Sequence, residues 1–98
     1  MRNDYLDADE KPLRAEILKE AEKVICHDRQ DQYGEPENVF GDIAMYWSTY
    51  LSTSVSPKDV AMMMALFKIA REKVNHKRDN LVDLCGYVSI AGELEGIK

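Results

Sequence analysis

From Val60 to Ala70 the chain reads VAMMMALFKIA, an apolar run broken by one charge, Lys68. It is too long for an ordinary strand and lacks a strand's alternation. Just ahead of it stand Ser56, Pro57 and Asp59: a hydroxyl to cap a helix, a proline suited to its first position and an acid for its first turn. The segment therefore reads as a helix that begins at residue 56 and is apolar nearly all round. The surface of a small monomer cannot accommodate such a helix, so it has to be central to the fold or lie at a subunit interface.

The neighbouring segments repeat the same period. Leu13, Ile17, Leu18, Ala21, Val24 and Ile25 follow helical spacing after Pro12 and predict a first helix to about His27. The polar stretch DRQDQYGEP, residues 28–36, breaks the period and is expected to be an ordered connection. Val39, Phe40, Ile43, Ala44, Trp47, Tyr50 and Leu51 then predict an amphipathic second helix ending near the Ser/Thr-rich residues 52–56. Trp47, Tyr50 and the methionines 62–64 are read as core. After a polar break at 75–80, Leu81, Leu84, Cys85, Val88, Ala91 and Leu94 support a fourth helix with a natural stop near Gly96. The fold class is thus all-α, a four-helix bundle completed by oligomerisation. Residues 1–11 read as a flexible acidic segment and 12–98 as one helical domain.

Ninety-eight residues make a single domain that is marginal as a monomer, so a homo-oligomer, dimer or tetramer, is expected. The net charge of −5 opposes attraction to a nucleic-acid backbone or an anionic membrane. DNA binding and a membrane partner are accordingly disfavoured. With no signal-like start and no spanning apolar run, the expected location is the cytoplasm. Cys26 and Cys85 lack CxxC spacing and read as reduced packing residues.

The candidate chemistry lies on helices. Lys68 and Arg71, three apart, with Asn75 continuing the stripe, make a paired cation site that suits a phosphate. Their stems could equally lie along the core with the heads in water. Asp79 and Asp83, four apart, place two carboxylates about 6 Å apart along one helix face, able to share Mg²⁺. Asp83 sits in an apolar run and needs a partner, which Lys68 or Arg71 could supply as a structural ion pair; Asp79 could simply cap its helix. Arg29, Gln30, Tyr33, Gly34 and Asn38 combine a cation, amides, an aromatic ring and a permissive backbone, a set suited to a base or sugar. No nucleophile elbow, Walker-type loop, HExxH or paired CxxC is present, so hydrolases built on those motifs lose support.

Taken together, DRQDQYGEPENVFGDIAMYW, DVAMMMALFKIAR and DNLVDLCGY resemble a family of small proteins of unknown function encoded by tailed bacteriophages and prophages, over roughly residues 14–92. More distantly, the chain is similar to the all-α nucleoside triphosphate pyrophosphatases, the MazG-like and dUTPase-like group. That resemblance implies a MazG-like bundle in a bacterial host's cytoplasm and a nucleotide-binding protein. It also implies a possible hydrolase of the α,β-phosphate bond that uses magnesium-activated water. Asp79 and Asp83 would hold the metal, Lys68 and Arg71 would neutralise phosphate charge, and Tyr33 with Gln30 or Asn38 would contact the base or sugar; no catalytic residue is assigned. The chain departs from the enzymes by carrying Lys68 and Arg71 where they usually place an ExxE pair. That departure supports the competing expectation, a non-enzymatic phage accessory protein acting through a helical protein interface.

Overall fold

The computed structural model describes residues 12–95, and every regular element among them is helical. Helix α1 runs Leu13–Lys23, a π-helical turn covers Val24–Asp28, α2 covers Arg29–Tyr33, α3 Pro36–Leu51, α4 Pro57–Val74 and α5 Arg78–Glu95. The junction residues Val24, Asp28 and Arg29 keep right-handed helical dihedrals, so α1, the π turn and α2 form one rod. The expected connection at 28–36 is thus corrected: helix continues to Tyr33. Val24 and Ile25 share a face with Arg29 and Gln30, five residues on, as π geometry allows. The period of 3.6 lapses there although the helix does not.

The rod ends at Gly34, whose φ of 95° and ψ of −172° fall in a region open essentially to glycine alone. Glu35 is extended and Pro36 takes the first position of α3, where its missing N–H is harmless. Beyond α3, Ser48 Oγ donates to the Val55 carbonyl and accepts the Val55 N–H, fastening the link to α4. The helix start read at Ser56 is a full capping box: Ser56 Oγ accepts the Asp59 N–H and the Asp59 carboxylate accepts the Ser56 N–H, both at 3.0 Å.

The core gathers Phe40 and Ala44 from α3, Val60 and Ala61 from α4, and Ile90 and Ala91 from α5, with Ile25, Val39, Trp47, Met64 and Tyr87 packed around them. Small residues set the spacing. A Cβ added to Gly86 would stand 2.6 Å from Ile25 Cγ2, so the π turn rests almost directly on the α5 backbone. Ion pairs join the ends, Arg78 to Glu20 at 2.8 Å and Lys58 to Glu95.

Three packing expectations are corrected, beginning with Cys26, which is exposed rather than packed. Tyr50 is 87% exposed, although Trp47, one turn earlier on α3, packs against the core. Met62 and Met63 are exposed as well, leaving Met64 as the methionine of that triplet packed on the core. The inner face of α4 is central, as its composition demands, while its outer face, also apolar, is left exposed by the described residues. The Cα radius of gyration is 15.8 Å, against the roughly 12 to 13 Å of a compact domain this size. Among the described residues no helix is long and apolar enough to cross a membrane.

Candidate functional site

The π turn, α2, α3 and α5 line a cavity of about 180 Å³. Its walls are apolar, from Val24, Ile25, Val39, Phe40, Ile43 and Ile90, and its polar groups are Arg29, Gln30, Tyr33, Asp83 and Tyr87. Each arrives for a local reason. The π turn brings Arg29 and Gln30 onto the face of Val24 and Ile25, Gly34 ends the rod beside Tyr33, and Asp83 and Tyr87 lie one turn apart on α5. Gln30 is already engaged, its Nε2 donating to Glu35 Oε1 at 2.8 Å across the turn. Arg29 is exposed and has no ion-pair partner among the described residues.

Of the residues singled out in the sequence, Arg29, Gln30, Tyr33, Gly34 and Asp83 therefore come together. Asn38 is exposed and does not line the cavity. Lys68 reaches Asp83 from α4, Nζ to Oδ2 at 2.7 Å, with the two side chains 15% and 16% exposed. Arg71 makes no ion pair with Asp83 among the described residues, though Lys68 Nζ, 5.8 Å from the Phe67 ring centre, shares that ring with it. Its guanidinium lies 5.4 Å from the Phe67 ring centre, and it lines a separate shallow depression with Ala70, Val74 and Asn75. Asp79 stands exposed in the first turn of α5.

Among the described residues no three His, Cys, Asp or Glu side chains gather as a metal cage. Asp83 already faces an ammonium, and a cation added at its carboxylate would meet that like charge. Asp79 and Asp83 on their own thus make a poor fit for Mg²⁺, which wants a near-octahedral shell of oxygens. No chemical step is derived through it.

Glu72, adjacent to Arg71 and not assignable from the sequence to the missing acidic pair, organises the α4–α5 hairpin. Its Oε1 accepts the Lys77 N–H at 3.0 Å and Asn80 Nδ2 at 3.1 Å, and its Oε2 meets His76 Nδ1 at 3.1 Å. The backbone bond from Lys77, then the Asn80 amide, hold its carboxyl below the ordinary value of 4.5, with a smaller contribution from His76. Asn80 is buried and also donates to the Asn75 carbonyl at 3.1 Å. Tyr87 was missed in the sequence; its signal was the spacing of four from Asp83, which puts both on one helix face.

The sequence profile of a domain of unknown function, DUF6378, matches residues 16–95. The chain belongs to the DUF6378 family. It is 44% identical over 72 residues to the Gene 55 protein of Mycobacterium phage D29, a match covering 72% of this chain and 48% of the relative. It is 36% identical over 81 residues to the Gene 55 protein of Mycobacterium phage L5, covering 81% of this chain and 52% of that relative. The chain thus spans about half the length of these phage proteins. No solved structure matches it. The two phage relatives support a phage protein, and membership of DUF6378 brings no assigned activity with it.

Proposed function

We propose that this DUF6378 chain binds a nucleotide, seating the base in the cavity lined by the π turn, α2, α3 and α5. The observation that carries the reading is the convergence of Arg29 and Tyr33 from α2 with Asp83 and Tyr87 from α5 on one apolar cavity. Its 180 Å³ lies below the roughly 300 Å³ at which ordinary ligand pockets begin. It offers room for a base-sized ring and too little for a whole nucleoside triphosphate. The phosphates would lie outside, towards the exposed Arg29, whose planar fork suits phosphate oxygens. Tyr33 and Tyr87 supply aromatic surface and hydroxyls, and Asp83 supplies an acceptor for an exocyclic amine or ring N–H. The distant similarity to the MazG-like pyrophosphatases supports the same ligand class. Hydrolysis is not part of the proposal, since the carboxylates at hand do not assemble a metal site.

The test is thermal shift against ribo- and deoxyribonucleoside mono-, di- and triphosphates, with Mg²⁺ and with EDTA, for wild type and Arg29→Ala. Stabilisation by nucleotide that weakens in Arg29→Ala is expected; no shift with any nucleotide at millimolar concentration would end the reading. Pyrophosphate release in the Mg²⁺ arm would extend the function to hydrolysis.

A second reading has its own observation. Lys68 and Asp83 neutralise each other at 2.7 Å while largely withdrawn from solvent, as expected of a staple in a non-enzymatic accessory protein. It predicts that nucleotides leave the melting temperature unchanged while Asp83→Ala lowers it.

A further inference from the structure

The outer face of α4 carries a pattern that the cavity does not use. Asp59, Met62, Leu66, Ile69 and Lys73 recur at spacings of three, four, three and four, which sets them in one straight seam along the helix. The seam points away from the core: Met62 is 43% exposed, Leu66 62% and Ile69 51%, with Met63 and Phe67 beside them. The exposed parts of these five side chains amount to roughly 500 Å² of apolar surface, at the upper end of what a typical monomer presents in one patch. The apolar patch alone is smaller than the roughly 800 Å² per partner of a stable dimer, and the exposed Asp59 and Lys73 extend it at either end.

The charges identify the occupant. An acid, Asp59, closes one end of the seam and a base, Lys73, closes the other, and Leu66 lies midway between them, seven residues from each. Lys73 has no ion-pair partner among the described residues. When such a helix packs antiparallel on a copy of itself about a two-fold axis at Leu66, each Asp59 comes opposite the other copy's Lys73 and the apolar residues meet in the middle. A two-fold interface must be self-complementary in this way. The same antisymmetry has no use on a lipid surface. We infer that the protein is a homodimer in which α4 packs antiparallel on the α4 of a second copy, with Leu66 at the dyad. This interface lies apart from the nucleotide cavity and does not depend on it.

The test is sedimentation of the full chain, wild type and Leu66→Asp, with a crosslinking arm. Leu66→Cys is made in a Cys26→Ser/Cys85→Ala background, and Tyr46→Cys, on α3, serves as control. The wild type is expected at twice its 11.2 kDa mass. Leu66→Asp sets two like charges together at the dyad and is expected to weaken dimerisation at least tenfold, with unchanged circular dichroism because the site is exposed. Leu66→Cys should oxidise to a covalent dimer and Tyr46→Cys should not. A wild type that stays monomeric into the high-micromolar range overturns the inference, and so does a dimer that survives Leu66→Asp and fails to crosslink at 66.

Discussion

Single atoms decide several features of this fold, and Glu72 is the clearest. Its carboxylate accepts the Lys77 N–H and the Asn80 amide, so the ionised form is the one that ties α4 to α5. Its folded pKa is lowered from 4.5, chiefly by the Lys77 bond; the stability it confers is therefore complete above that value and drains away as pH falls through the lower, folded one. The melting temperature is expected to drop as pH is taken from 6 to 3, and Glu72→Gln should flatten that dependence; parallel curves for the two proteins would contradict it. Gly86 makes a second residue-scale prediction. Alanine favours a helix by up to about 1 kcal/mol over glycine, yet here its Cβ would stand 2.6 Å from Ile25 Cγ2, on a stiff β-branched side chain. Overpacking of this kind costs about 1 to 3 kcal/mol, so Gly86→Ala is expected to lower stability in urea denaturation despite its better propensity. Neither effect was legible in the sequence: Glu72 depends on how the link at 75–77 turns back onto it, and Gly86 on which residue of the π turn meets α5.

At the level of elements, legibility followed the local chemistry. The start of α4 was readable because Ser56, Pro57 and Asp59 encode it within four positions, and the structure returns the capping box in full. Ser56→Ala removes one side of that box and should cost about 1 kcal/mol, a fall in melting temperature of about 4 to 8 °C for a domain of this size; a fall under a degree would mean that the box contributes nothing. The end of the first helix was misread for a physical reason. A π turn spaces its contact residues by five, so Val24 and Ile25 remain in line with Arg29 and Gln30 although the expected period has lapsed. The same turn builds one wall of the cavity, so the stretch that resisted the periodicity search is the stretch the candidate site needs. Tyr50 was misjudged differently: its spacing is right for the inner face of α3, but the last core contact of that helix is Trp47, one turn earlier.

Across the whole molecule, the Lys68–Asp83 bridge is where the two functional readings part. It spans α4 and α5 beside the cavity, and its existence was inferable, since a carboxylate among Leu81, Val82, Leu84 and Cys85 demands a partner. Whether the pair holds the fold or serves a ligand is a different matter, and substitution can separate the two. Asp83→Ala strands a half-buried ammonium and should cost about 1 to 3 kcal/mol. Lys68→Met combined with Asp83→Leu removes both charges and restores apolar contact, which in such pairs is often neutral or stabilising. The double variant is therefore expected to melt well above Asp83→Ala and close to wild type. Nucleotide thermal shift is then measured on this refolded background. If the pair is only a staple, the double variant responds to nucleotide as the wild type does. If Asp83 accepts a hydrogen bond from the base, the response is lost although the fold has been regained, because leucine offers the ligand no acceptor. Stability and binding thus move together in the single variant and separate in the double one, so a single melting series assigns the bridge its role.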